Sequence, residues 1–248
     1  MHISLAPEHL FSILGMSITN TLLMSWVAMS LILGFAFLAS RKLEIVPGKV
    51  QNGAEAVIEA ALDFIEPIIG SRKEAMKFFP LIITFFLFII VSNWLEVLPG
   101  LGSFGIVEEI ERGGHTETVL LSFLRSPSSD LNFTLALAII SVLFTQFAGI
   151  TAVGFIKYGS RYLSFKSPVE FFVGILELIS EVAKLISFSF RLFGNIFAGE
   201  VLLIVVGVLV PAIAPLPFLA LELFVGFVQA LVFSMLTLVF LKIATSTH

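Results

Sequence analysis

Three ionisable side chains recur at helical spacing within an otherwise apolar part of the chain. Glu177, Lys184 and Arg191 lie seven residues apart, which places them on one side of an α-helix. Arg191 is near the middle of this stretch, where a charged side chain costs roughly 2.5–3.5 kcal/mol on membrane-insertion scales. A guanidinium keeps its proton in proteins, so it neither becomes neutral nor carries protons itself. We expect a functional Arg191; the alternative is an arginine that pairs with an acid on a neighbouring helix. Further polar side chains on nearby turns of the same side are Ser180, Ser187 and Asn195.

Carboxylates approach Arg191 from both directions. Glu200 follows it by nine residues and Glu177 precedes it by fourteen, so they lie about 13 Å and about 21 Å away along a helix. The last apolar segment carries Glu222 and, two turns deeper on the same face, Gln229. Carboxylates inside a membrane are candidates for proton relay, because burial changes their pKa. The alternative for any single one is a hydrogen bond that fastens two helices.

The composition is that of an integral membrane protein. Of 248 residues, 58% are hydrophobic and 13% are charged, and the mean hydropathy is +1.06. Soluble domains are about 45–50% apolar and about 25% charged. These values exclude a disordered chain and a soluble globular enzyme. A net charge of −4 gives no surface for nucleic acid, and the absence of cysteine excludes disulfides and thiolate chemistry.

The apolar segments predict an all-α fold with five membrane helices in one membrane domain over residues 1–248. A spanning helix needs about 20 apolar residues, and the predicted spans cover residues 17–39, 78–98, 131–157, 168–209 and 217–243. Residues 50–69 predict an additional interfacial helix, because an apolar stripe lies beside a stripe of acids. We expect these acids to face solvent or a partner protein rather than anionic lipid. Residues 100–130, rich in glycine, serine and proline, predict an external loop.

Lysine and arginine placement predicts the orientation. Lys184 and Arg191 lie inside the predicted fourth span. Of the other twelve lysines and arginines, ten fall on one side of a five-helix arrangement and two on the other. Because positive residues are enriched in cytoplasmic segments, this favours an external N-terminus and a cytoplasmic C-terminus. The fourth span would be about 60 Å long, twice the hydrocarbon thickness. A helix of that length must be steeply tilted or kinked, and a steep tilt requires an abutting partner.

Residues 187–200, Ser-Phe-Ser-Phe-Arg-Leu-Phe-Gly-Asn-Ile-Phe-Ala-Gly-Glu, resemble the signature of subunit a of F-type ATP synthases. Supporting similarities are Pro47-Gly48-Lys49, residues 127–132 (Pro-Ser-Ser-Asp-Leu-Asn) and residues 229–233 (Gln-Ala-Leu-Val-Phe). They occur in the family's order along nearly the whole chain.

The resemblance implies a proton-translocating stator, against which a ring of c subunits turns, each with one ionisable carboxylate. Protons would enter through an outer half-channel and leave through an inner one, with Arg191 preventing direct passage between them. The family's roles put Glu200, Glu222 and Gln229 on the outer path, Asn195 beside the arginine and Glu177 on the inner path. The last two helices would form a long, tilted hairpin against the ring.

The resemblance also implies further partners and a location. The partners would be the c-ring, the b subunits of the peripheral stalk, the rest of the complex and membrane lipid. The location would be the bacterial inner membrane. We expect no cofactor, metal or nucleotide site, and no P-loop, zinc-protease or serine-hydrolase motif occurs in the sequence.

Two residues depart from the family pattern. Many relatives pair an acid with a histidine at the positions of Glu200 and Glu222, whereas this chain has two glutamates. One of them is therefore expected to be protonated near neutral pH, or the two share a proton. Lys184 is followed by Leu185 where relatives often have proline, which favours an unkinked helix.

Two other functions are consistent with a membrane protein. A self-contained secondary transporter predicts two similar halves with interrupted helices in matching positions, and the sequence shows no such repeat. A non-conducting scaffold does not explain Arg191 or the carboxylates that lie on both sides of it.

Overall fold

The structure is a computed structural model that describes residues 7–13, 15–41, 43–98, 105–112, 115–162, 167–210 and 214–246. Helices dominate it, and the predicted all-α membrane fold is confirmed. In chain order the helices are α1 (Asn20–Ser40), α2 (Lys49–Ile69), α3 (Arg72–Val97), α4 (Leu131–Val153), α5 (Phe155–Gly159), α6 (Pro168–Leu209) and α7 (Pro215–Thr245). By length and apolar composition, α1, α3, α4, α6 and α7 could each cross a membrane.

Two antiparallel hairpins accompany the helices. Strands β1 (His9–Ile13) and β2 (Met16–Thr19) pair with each other, as do β3 (Gly105–Arg112) and β4 (His115–Ser122). The first hairpin delays the start of α1 from the predicted residue 17 to Asn20, where the Thr19 hydroxyl caps the helix by accepting from the Leu22 N–H. The second lies within the segment predicted as a loop, which also contains a short 3₁₀ turn, Pro127–Ser129.

The predicted third span, residues 131–157, is wrong at its end. Helix α4 stops at Val153 because Gly154 adopts a φ of 93°, a backbone conformation that glycine tolerates far better than other residues. The chain turns back there, and α5 brings the Tyr158 ring against Gly149. A Cβ added to Gly149 would lie 2.3 Å from a ring carbon of Tyr158. This close approach needs a glycine, which the apolar pattern alone did not reveal.

The main core lies between α3, α4, α6 and α7. Phe233 of α7 is central to it, with its ring 5.3 Å from that of Phe85 on α3 and 5.2 Å from that of Phe188 on α6. Hydrogen-bonded hydroxyl pairs connect α4 to α6 and to α7. Thr134 and Ser189 approach to 3.1 Å, and Ser141 and Thr237 to 2.8 Å.

A second core cluster holds only the C-terminal part of α2. Leu62, Ile65 and Ile69 are buried against α3 and α7. Val57 and Ile58, which the sequence places on the same apolar stripe, are exposed. The stripe is therefore continuous in sequence but packs against this chain along only part of its length.

The helices run antiparallel, so their termini define two ends of the bundle. At the first, which we call the Glu222 end, α3 and α6 finish and α4 and α7 begin. The Trp94 Nε1 there donates to the Leu223 carbonyl at 3.0 Å. At the opposite end, the Glu177 end, α3 and α6 begin and α7 finishes, and the Lys242 ammonium donates to the Ile69 carbonyl. Helix α6 continues between the two ends for 42 residues.

Candidate functional site

A partly buried ion pair joins α6 to the segment before α4 at the Glu222 end. Arg125 is 8% exposed, and its Nε lies 2.9 Å from Oε1 of Glu200 while its Nη2 lies 3.0 Å from Oε2. The guanidinium carbon is also 5.9 Å from the centre of the Phe197 ring, one turn earlier on α6. Two parallel contacts to one carboxylate fix both partners in orientation as well as position.

Two more carboxyl groups converge on this ion pair. Glu222 of α7 is 7% exposed, and its carboxylate lies against Gly199, where an added Cβ would be 2.4 Å from Oε2. Glu96 of α3 accepts a hydrogen bond from the backbone of Ser126 and interacts electrostatically with Glu200, Glu222 and Arg125. We call Glu96, Glu200 and Glu222 the carboxylate cluster. Within the described residues, no group of three acidic or histidine side chains is close enough to hold a metal ion.

Hydrogen bonds between elements hold the carboxylate cluster in place. Asn93 donates to the Gly226 carbonyl at 3.4 Å and accepts from the Ser126 hydroxyl at 3.2 Å. Both asparagine contacts are buried, so α3, α7 and the segment that carries Arg125 are connected through one side chain. Glu96 and Glu222 therefore sit on helices whose relative position is fixed next to Glu200.

Arg191 lies elsewhere, on an exposed face in the middle of α6. Its Nη2 donates to the Ser187 hydroxyl at 3.1 Å. Within the described part of the chain no carboxylate lies within 4 Å of it, so the alternative of an acid on a neighbouring helix of this chain is not what the structure shows. Several exposed residues near it are small or polar, namely Ala183, Gly194, Asn195 and Ala198, and the ring of Phe190 is exposed as well. Nothing lies within 4 Å of a Cβ added to Gly194, so the surface around the guanidinium is shallow and open.

A second ion pair lies at the Glu177 end. Arg161, which follows α5, pairs with Glu177 of α6, and this hydrogen bond raises the pKa of the Arg161 guanidinium. The hydroxyls of Tyr158 and Tyr162 both donate to the Gln146 amide oxygen, at 2.8 Å and 3.0 Å. Burial, then the contact with Tyr158, raises the pKa of the Tyr162 hydroxyl. This end thus combines a charged pair with neutral hydroxyls.

The remaining predicted positions have separate environments. The Lys184 ammonium donates a hydrogen bond to the Glu181 carboxylate at 2.7 Å, and its nitrogen lies 4.7 Å from the centre of the Phe240 ring. Ser180 is exposed. Gln229 is half-buried on α7, and its side chain makes no hydrogen bond with the described residues. The structure thus brings Glu200 and Glu222 together, groups Ser187, Arg191 and Asn195 on one face, and leaves Glu177 with Arg161.

Sequence reasoning missed Glu96 and Arg125. Glu96 stood out only as the charge that ends an apolar segment, and Arg125 only as one base in an external loop. The available signal was the serine- and proline-containing segment after Arg125, which is buried from Ser126 to Asp130. A loop that packs into the bundle can carry its charged neighbour inward.

Comparison with known proteins identifies the family of the chain. Residues 22–242 match the family model described as ATP synthase A chain. The chain is similar to ATP synthase subunit a of Campylobacter jejuni, with 36% identity over 85% of this chain and 83% of that one. It is also similar to ATP synthase subunit a of Gloeobacter violaceus, with 37% identity over 92% of this chain and 85% of the relative.

These matches cover all five membrane-length helices except the first residues of α1 and the last residues of α7. The chain therefore belongs to the ATP synthase A chain family and is a multi-pass, proton-translocating membrane-sector subunit of the F-type ATP synthase.

Proposed function

We propose that this subunit conducts protons through two half-channels, one at each end of α6, which communicate only through a rotating ring of c subunits. Arg191 is the fixed charge between them. The observation that carries this proposal is the exposed Arg191 guanidinium, which has no carboxylate partner among the described residues, while Arg125 and Arg161, toward the two ends of α6, each have one.

An exposed Arg191 in the middle of a membrane-length helix needs a partner. An unpaired charge at that depth is costly, and such residues normally face a protein interior or a water-filled cavity. The small residues Ala183, Gly194 and Ala198 would let another helix approach the guanidinium closely. A carboxylate on each c subunit would supply the missing anion, and would be held ionised while it passes Arg191.

The two half-channels follow the polar groups at the two ends. The outer path follows Glu222, Glu96 and Gln229 beside the Arg125–Glu200 ion pair, and the inner path follows Glu177 with Arg161. Between them the inward side of α6 carries Phe188, Leu192 and Ile196, which are buried in the main core. Among the described residues this side of α6 offers hydroxyls but no ionisable group, so a proton would leave α6 for the ring to pass from one path to the other.

Basic residues support the orientation with the Glu222 end outside. Arg72, Lys73 and Lys77 begin α3 at the Glu177 end, and Lys242 lies there near the end of α7. This distribution favours a cytoplasmic Glu177 end in a bacterial inner membrane. Lys42 and Lys166, which contribute to the same prediction, lie outside the described residues. The b subunits of the peripheral stalk complete the proposed set of partners.

Disulfide cross-linking tests the surface that faces the ring. The chain has no cysteine, so Ala198→Cys and Ser189→Cys each introduce one thiol into α6. Ala198 is exposed beside Arg191, and Ser189 is buried against α4. With a c subunit that carries a cysteine one turn from its carboxylate, Ala198→Cys should cross-link on oxidation and Ser189→Cys should not. A c subunit that cross-links to neither variant, or equally to both, contradicts the proposed surface.

A synthesis assay tests the role of the charge. Arg191→Ala should abolish ATP synthesis driven by an imposed pH gradient, while Arg72→Ala, which removes an exposed arginine at the start of α3, should retain it. Normal synthesis by the Arg191→Ala enzyme would exclude the proposed function.

A further inference from the structure

We propose that Arg125 holds Glu200 permanently ionised, so that the proton exchanged at the Glu222 end resides on Glu222 with Glu96 and not on Glu200. Arg125 is then a positioning residue that determines which carboxyl of the cluster carries the proton. The inference rests on the proposed function, because it concerns the outer half-channel.

The charge count at this end is unbalanced. Each described element around the cluster contributes its charged group: α3 has Glu96, the segment before α4 has Arg125, α6 has Glu200 and α7 has Glu222. Asp130 is buried nearby, but its oxygens accept from the Thr21 hydroxyl at 3.1 Å and the Asn132 N–H at 2.9 Å. Among the described side chains, one guanidinium therefore faces three carboxyl groups, and its two parallel contacts are with one of them.

The geometry indicates that the carboxyl group neutralised by Arg125 is that of Glu200. Both Glu200 oxygens lie within 3.2 Å of Arg125 nitrogens, and these contacts are partly buried. A carboxylate held at both oxygens by a guanidinium is stabilised in its ionised form. Protonation of Glu200 would break these bonds and leave the arginine as an uncompensated buried charge, which is strongly disfavoured.

Glu222 has the opposite environment. It is buried, faces the backbone at Gly199, and makes no hydrogen bond with the described residues. A buried carboxylate without a partner is costly, and a proton removes the charge. Glu96 differs again, since a backbone N–H from Ser126 stabilises it partly. The two carboxyls that Arg125 does not neutralise are thus the ones that can hold and release a proton.

The transfer step balances for a single proton. The O–H bond on Glu222 breaks while an O–H bond forms on a ring carboxylate, directly or through water. Glu222 becomes anionic and then takes a proton from a hydronium ion that reaches the Glu222 end and becomes water, with Glu96 as the nearest alternative holder. Glu200 and Arg125 keep their charges throughout, so the electrostatic field at the cluster changes only with that proton.

Charge-paired variants of the assembled ATP synthase in inverted vesicles test this assignment. Arg125→Gln leaves Glu200 without its cation, so both Glu200 and Glu222 bind protons more tightly. ATP-driven proton pumping should fall about tenfold or more and its pH profile should move about one unit to higher pH, since loss of a nearby opposite charge changes proton affinity by one to three units. Arg125→Lys keeps the positive charge, so it should restore most of the pumping rate and most of the original pH profile.

The double variant provides the decisive comparison. Arg125→Gln with Glu200→Gln removes the cation and the anion together and leaves Glu96 and Glu222 in place. It should recover pumping and the original pH profile, whereas Glu222→Gln should stay inactive. A double variant as impaired as Arg125→Gln, with normal assembly of the complex, would show that Glu200 itself carries the proton. A pH profile unmoved in Arg125→Gln would reduce Arg125 to a structural role.

Failure of this inference differs from failure of the proposed function. Arg191→Ala is measured in the same vesicle preparation. Coupled pumping by that variant would overturn the half-channel proposal, whatever the Arg125 variants do. Loss of pumping in Arg191→Ala together with no recovery in the double variant would overturn only the assignment of the proton to Glu222 and Glu96.

Discussion

Each end of α6 carries one arginine–glutamate pair, and the two pairs differ in their surroundings. The Arg125 side chain at the Glu222 end is 9% exposed, whereas the Arg161 side chain at the Glu177 end is 33% exposed. The first pair has two additional carboxyl groups beside it, and the second has tyrosine hydroxyls and an amide. We propose that a proton is stored where carboxyls exceed cations, and that the more exposed pair at the Glu177 end suits release.

Arg191 lies between the two pairs along α6 and differs from both arginines in its contacts. Arg125 and Arg161 pair with glutamates of the same helix, α6, whereas the hydrogen bond that Arg191 makes with the described residues is to Ser187 on its own helix. Within the described part of the chain, an arginine–glutamate pair thus forms toward each end of α6 and none forms at Arg191. This is the position at which the rotating ring is proposed to supply a carboxylate.

The largest expected difference between the ends is in stability. Arg125→Leu leaves Glu200, whose side chain is 21% exposed, beside a buried apolar residue, and breaking an ion pair in this way costs up to about 3–5 kcal/mol. Arg161→Leu removes a partly exposed pair, which is worth about 1 kcal/mol or less. Thermal unfolding of the purified complex in mild detergent, followed by circular dichroism at the subunit's transition, should show the larger loss for Arg125→Leu. Equal losses would contradict the difference in burial on which the comparison rests.

A smaller effect is expected from the glycine beneath Glu222. In Gly199→Ala the new methyl group would overlap the Glu222 carboxylate, which lies 2.4 Å from the ideal Cβ position. Overpacking of this kind costs about 1–3 kcal/mol, and displacing the carboxyl should slow ATP-driven pumping. Gly207→Ala is the matched control on the same helix, since nothing lies within 4 Å of its added Cβ. If the two variants pumped at the same rate, the position of the Glu222 carboxylate would be irrelevant to transport.

The smallest expected effect concerns alkaline pH at the Glu177 end. The folded protein holds the Tyr162 proton above the ordinary pKa of about 10, because the hydroxyl is buried. An unfolded chain releases that proton near pH 10, so stability is present below this pH and falls as the pH rises above it. Tyr162→Phe should lessen the fall. The measurement is thermal unfolding between about pH 9 and pH 11. An identical decline in stability for the unaltered protein and for Tyr162→Phe would contradict the burial of the Tyr162 hydroxyl.

The sequence alone predicts the parts of this structure that depend on local pattern. Uncharged stretches of sufficient length predict the five membrane helices, and the uninterrupted run from Pro168 predicts the length of α6. Helical periodicity places Arg191, Ser187 and Asn195 on one face, because this depends on spacing within a single helix. An antiparallel topology also predicts that Glu200 and Glu222 share one end.

Contacts between distant segments were not predictable in this way. Arg125 and Glu200 are separated by 75 residues, and nothing in the local pattern of either residue indicates the other. The break at Gly154 depends on Tyr158 folding back onto Gly149, a tertiary contact that the apolar run conceals. The partial burial of α2 has the same origin, since its apolar stripe is continuous but this chain covers only the part from Leu62 onward.

The most direct test of the proposed separation of the two ends is the number of protons pumped per ATP hydrolysed. The complex that carries Arg191→Ala is reconstituted into sealed vesicles beside one that carries Arg72→Ala, and proton uptake and phosphate release are recorded together. We predict a ratio near zero for Arg191→Ala, with ATP still hydrolysed, and an unchanged ratio for Arg72→Ala. Equal ratios in the two complexes would contradict a fixed charge between two half-channels.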